Sequence, residues 1–145
     1  MTGAGAEPSA SSQSPHRLVN PSTLPPPSGF SHAVLPAAGR MVYLGGQAGH
    51  RPDGTLAGPS LTEQFEQALA NLVKALRAAG GEPEHLVQVH IYVTDAAEYR
   101  DRLRVLGEAW RRHLGRHYPA VALFEVGGLF DPEARVEVVG TAVIP

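Results

Sequence analysis

The chain contains no cysteine. That removes disulfides, thiolate nucleophiles and cysteine-based metal sites at once. No apolar run approaches the roughly 18 residues that a membrane span needs. The N-terminus has no basic region followed by a hydrophobic segment, so no secretory signal is expected. Charged residues amount to 18% with a formal net charge of −2. That balance supplies no global attraction to nucleic acid or an anionic membrane, and a cytoplasmic protein is the expectation. What is present, 145 residues of which 43% are apolar, is enough for one hydrophobic core and too little for two.

Residues 1–15 are mostly Gly, Ala, Ser, Pro and Gln with almost no apolar anchor, which predicts a disordered tail ahead of a single domain at 16–145. Leu24-Pro25-Pro26-Pro27-Ser28-Gly29 reads as a short stiff loop. Phe30–Leu35 and Arg40–Gln47 read as two strands joined by a tight turn at Ala37-Ala38-Gly39, with a second turn at Pro52-Asp53-Gly54. Ser60 with Glu63 forms a capping box in front of Leu61, Phe65, Ala68, Leu69, Leu72, Val73 and Leu76, and Gly80-Gly81 ends the helix. Val87, Val89, Ile91 and Val93 then alternate with Gln88, His90, Tyr92 and Thr94, a strand with one buried and one more polar face. A second helix is predicted over about 97–114, with Tyr99, Leu103, Leu106 and Trp110 on one side.

The last quarter holds two Val- and Leu-rich runs, Tyr118–Val126 and Arg135–Val139, each with a lone carboxylate, Glu125 and Glu137. Apolar surroundings are the setting in which a carboxyl group becomes suited to proton transfer. The predicted order is ββαβαββ: an α+β fold with two helices on one face of a mixed sheet. The other face then needs a cover, and its apolar content suggests a second subunit.

Taken in order, several landmarks resemble the Rid family, also called YjgF-like or reactive-intermediate deaminases. They are Gly39 through Gly45-Gly46-Gln47, Asp53-Gly54, Gln64 and Asn71 on the first helix, and Ala78-Ala79-Gly80. Tyr92-Val93-Thr94-Asp95, Tyr118-Pro119-Ala120 and Val136-Glu137-Val138 complete the set, and the resemblance runs from about Phe30 to Val143. It implies a chorismate-mutase-like fold and a homotrimer with clefts between neighbouring subunits. It also implies hydrolysis of enamines and imines to the keto acid and ammonia, without cofactor or metal. In such enzymes an arginine after the Pro-Ala pair holds the substrate carboxylate, and a glutamate on the last strand handles the water and the leaving ammonia.

Carried over to this chain, the resemblance is split. The arginine position is Val121, which has no charge and no donor. The glutamate position is Glu137. The family's cleft tyrosine falls on Phe30, the serine before the Gly-Gln pair is Gly45, and a polar cleft position on the second helix is Leu103. The implied site is therefore Glu137 as acid/base, with Phe30, Gly45, Gly46, Leu103, Val121 and Leu123 shaping an apolar pocket and Glu125 as a further cleft candidate. A 2-imino acid should bind it poorly and a larger, less charged ligand better. The alternative is a non-catalytic trimer that binds a small molecule or a partner.

Other residues have plainer readings. Glu137 paired with Arg135 on a strand surface, Glu125 at an exposed strand end and His90 at an interface all stay open. Arg100, Arg102, Arg104, Arg111, Arg112 and Arg116 fall within one stretch that a ribonuclease or RNA-binding reading would cite. Asp101 and Glu108 interrupt them, and a solvated helix face is the better reading. His113 and His117 flank Gly115, which ends a helix, so no metal is expected there.

Overall fold

The structure, a computed structural model, describes residues 14–145. Strands β1 (Arg17–Val19), β2 (Ala33–Leu35) and β3 (Arg40–Ala48) precede helix α1 (Leu61–Ala78). A 3₁₀ turn, Pro83–His85, leads into β4 (Leu86–Val93), and α2 (Ala96–Asp101), α3 (Leu103–Leu114), β5 (Ala120–Glu125) and β6 (Val136–Ile144) follow. The mixed sheet has the order β3-β6-β4-β5, antiparallel except for the parallel β4–β5 pair.

Helix α1 forms as its sequence dictates. Ser60 Oγ accepts from the Glu63 N–H and Glu63 Oε1 accepts from the Ser60 N–H, closing the capping box. At the other end Gly81 N–H donates to Leu76 O and Gly80 N–H to Arg77 O, while Gly80 takes the positive φ such an ending requires. The stripe Phe65, Leu69, Leu72 and Leu76 is buried against Val89, Ile91, Val93, Val136 and Val138 of the sheet. Full burial of each such side chain is worth about 1.5–3 kcal/mol.

Three expectations change. Residues 33–35 do not fold back on β3; they pair antiparallel with β1 in a separate two-stranded sheet, and β3 pairs with β6. Gly39 lies so close to the Ile144 carbonyl that a Cβ would collide with it, so the turn delivers β3 to the end of β6 rather than to β2. The second helix is two helices. Arg102 leaves helical geometry at φ −115°, ψ 19°, and α3 starts afresh with Leu106, Ala109, Trp110 and Leu114 buried. Leu103, expected on that stripe, is 59% exposed instead. The expected tail lies outside the described residues except for Ser14 and Pro15, and Ser14 Oγ donates to Glu84 O at 2.7 Å.

His117 is buried behind β4 and bonded through Nε2 to Leu86 O at 2.8 Å. Burial holds its imidazole below the ordinary value of 6.5, against the weaker opposing pull of the Leu86 carbonyl. The unfolded chain therefore takes up this proton more readily than the folded one. The contribution is complete above about pH 6.5 and declines as pH falls below it. Thermal unfolding followed from about pH 7.5 to about pH 5 should show this loss, and His117→Gln should flatten it.

Candidate active site

Alternation along β6 decides where Glu137 points. Val136, Val138, Gly140 and Ala142 are buried toward the helices, so Glu137, Val139 and Thr141 belong to the other face. Among the described residues no helix covers that face. Tyr43 is 75% and Phe124 44% exposed there. Glu137 stands opposite Ala48 of β3 and Tyr92 of β4.

Gly45 and Gly46 form a bulge, because β3 advances from Leu44 to Gln47 while β6 moves only from Gly140 to Val138. The Glu137 carboxylate lies over Gly46, and a Cβ at that position would collide with it. A Cβ on Gly45 would meet nothing within 4 Å. Among the described residues no donor or cation is bonded to the Glu137 carboxylate. Arg135, its expected partner in the plainer reading, pairs with Glu98 at 2.7 Å.

Parallel pairing with β4 decides where Val121 points. Val89, buried under the helices, pairs with Val121; Ile91 pairs with Leu123 and Val93 with Glu125. Val121 accordingly packs against the core, and Leu123, 36% exposed, marks where the helix layer stops short of this edge strand. Phe30 is held beside the start of β5. The next residue, Ser31, donates its N–H to Pro119 O at 2.9 Å and its Oγ to Tyr118 O at 2.7 Å, and bridges to Ala120. The ring of Phe30 meets that of His32 edge-on at 5.1 Å.

The structure thus brings the expected residues together in two groups. Glu137, Gly45 and Gly46 lie on the face without helices. Phe30, Val121 and Leu123 lie along the β5 edge, with Val121 and Leu123 turned to the opposite face. Leu103 joins neither, because the break at Arg102 turns it outward at the start of α3. Glu125 serves α2: its Oε1 accepts from the Ala96 N–H at 2.8 Å, a carboxylate at a helix N-terminus.

Sequence reasoning missed the aromatic group beside Glu137. Tyr92 stacks on Phe124 with centroids 5.5 Å apart, and His90 meets both rings edge-on. The polar half of the β4 alternation marked their face but not their neighbours.

A hollow of about 610 Å³ lies elsewhere, between the Gly54–Pro59 loop, Gln64, Asp131 and Glu133. Gln64 and Asp131 there already have partners. Gln64 Nε2 donates to Gly58 O and Glu133 O, and its Oε1 accepts from Arg135 N–H. Asp131 pairs with His50 at 2.8 Å, which holds its carboxyl below the usual range. The hollow is a product of loop bracing, and we do not assign it the chemistry.

Part of the arginine-rich stretch is likewise ion-paired, Arg112 with Glu66 and Arg104 with Glu108. Among the described residues no group of three or more His, Asp or Glu is placed to hold a metal, and no helix is long and apolar enough to cross a membrane.

A mixed sheet with its helices on one face makes this an α+β fold. The chain matches the Endoribonuclease L-PSP family over residues 21–144. It is 28% identical over 115 residues to human 2-iminobutanoate/2-iminopropanoate deaminase, covering 79% of each chain. It is 32% identical over 110 residues to the RutC family protein y4sK of Sinorhizobium fredii, covering 75% of this chain and 82% of that one. The crystal structure of the Rid-family protein YyfB from Yersinia pestis superposes with a TM-score of 0.80 at 33% identity, covering 89% of this chain and 98% of the other. The protein belongs to the Rid family.

Proposed function

We propose that the protein hydrolyses small imines or enamines as a homotrimer, each cleft formed by the Glu137 side of one copy and the Val121 side of the next. The observation that carries this reading is the strand register. Glu137 and Val121 sit on opposite faces of one sheet, so a substrate touching both must lie between two copies. The uncovered face with Tyr43, Phe124 and Met41 exposed supports the same arrangement.

In the reaction, water adds to the imine carbon. As the new C–O bond forms, the C=N π pair moves onto nitrogen, and Glu137 takes a proton from the water and returns it to that nitrogen. The carbinolamine then collapses. Its hydroxyl proton passes through Glu137 to nitrogen, the C–N bond breaks with its electron pair, and ammonia leaves a carbonyl behind. Atoms balance without any further reactant. Glu137 suits this role because its carboxylate is half-buried, has no partner among the described residues and is seated on Gly46.

Specificity follows from Val121. With no guanidinium on β5, a substrate carboxylate has no bidentate partner there, so the favoured substrates are imines with little or no charge. The test uses 2-iminopropanoate and its methyl ester, formed in place, with ammonia release and particle mass measured. The native chain should prefer the ester, and Val121→Arg should raise kcat/KM for the acid by about 100-fold. Equal handling of acid and ester by the native chain removes the anchor argument, and a monomeric particle removes the shared cleft. The loss of polar groups at Phe30, Gly45 and Val121 favours, as the second reading, a non-catalytic trimer that retains a ligand unchanged. That reading predicts binding with no ammonia released.

A further inference from the structure

Directly across the sheet from Glu137 stands Tyr92. Residues so paired on antiparallel strands lie about 5 Å apart and project from the same face. Two contacts, braced by a third, hold the phenol ring in place. It stacks on Phe124 at 5.5 Å with the planes 23° apart, and His90 closes on Tyr92 edge-on at 6.2 Å and on Phe124 at 5.7 Å. The ring is therefore positioned by packing alone. Among the described residues its hydroxyl has no hydrogen-bond partner, the Glu137 carboxylate has none, and the two are not bonded to each other.

Tyr92 and Glu137 share a sheet face with Ala48, Val139, Ala122 and Phe124, and neither polar group has a partner among the described residues. Once a second copy covers this face, the hydroxyl is shut off from bulk water, and leaving it unpaired is unfavourable. A small polar molecule between hydroxyl and carboxylate satisfies both. At the β5 edge Phe30 carries no hydroxyl, and that of Ser31 is already bonded to Tyr118 O.

Resting on the reading of Glu137 as the acid/base, we infer that Tyr92 is a further substrate-contacting residue. Its hydroxyl donates a hydrogen bond to the oxygen that adds to the imine carbon, holding that oxygen while Glu137 moves its proton. The bond persists onto the product carbonyl. The favoured substrates are thus weakly charged imines whose carbon can carry an oxygen toward Tyr92, on the half-site that also holds Glu137.

Tyr92→Phe removes only the hydroxyl and keeps the stack on Phe124 and the contact with His90. With the methyl ester of 2-iminopropanoate as substrate, this variant should lose about tenfold in kcat at nearly unchanged KM, with native particle mass and thermal stability. Affinity for methyl pyruvate, the product, should fall several-fold. Unchanged kcat and product affinity in Tyr92→Phe, while Glu137→Gln is inactive, overturns the role of Tyr92 and leaves that of Glu137 standing. Loss of assembly or of thermal stability in Tyr92→Phe overturns it too, by making the hydroxyl structural. Full activity in Glu137→Gln overturns the parent reading. A native chain that neither hydrolyses the ester nor binds methyl pyruvate overturns both.

Discussion

Glu137→Gln should lose about 1000-fold or more in turnover of the ester while assembling and melting as the native chain does. The amide keeps the shape of the side chain and cannot accept and return a proton, and a group that does both is worth on the order of 10²–10⁴ in rate. Stability should barely respond, because no hydrogen bond or ion pair among the described residues depends on this carboxylate. Surface-type substitutions of that kind stay within about 0.5 kcal/mol. Measuring kcat and the melting temperature on one preparation separates the two effects. Comparable turnover in the variant ends the acid/base assignment.

The second large effect is expected at a residue with no side chain. Gly46→Ala places a methyl group where the Glu137 carboxylate now lies. The clashing atoms are the far end of a flexible side chain, so the carboxylate swings away and the backbone stays. The fold should survive with little change in melting temperature. Turnover should fall by about 100-fold, the scale on which displacing a reacting group by about 1 Å is felt. Gly45→Ala is the matched control for the seat: its added Cβ meets nothing within 4 Å, so the Glu137 carboxylate should stay in place and turnover should fall far less than in Gly46→Ala. Native turnover in Gly46→Ala would show that the seat on this glycine is irrelevant to the chemistry.

Much of the fold was legible because its signals are local. The Ser60–Glu63 box, the stripe from Leu61 to Leu76 and the Gly80-Gly81 ending all lie within about two dozen residues, and each reports the same helix. The alternation in β4 and the apolar run of β6 were read for the same reason. Pairing partners were not legible. Arg17–Val19 is three residues long and bounded by prolines nearby, and nothing local says that β2 meets it instead of β3. The break at Arg102 has no glycine or proline to announce it.

Glu137 could be named from its place in Val136-Glu137-Val138 and Val121 from its place after Pro119-Ala120. Their facing in opposite directions depends on the parallel register of β4 and β5, which only the assembled sheet reveals. Tyr92 was hidden for a related reason. A period of two tells which face a residue takes and leaves open which residue stands across from it.

That opposition of faces has a genetic consequence. Under the proposed assembly a chain damaged at Glu137 still offers its neighbour a sound Phe30 and Val121 edge. A chain damaged at that edge still offers a sound Glu137. Two alleles, each inactive alone, would then rebuild working clefts inside mixed particles, whereas two lesions on the same half-site would not. Inheritance in this protein would follow the geometry of the sheet, with the seam between chains as the unit of function.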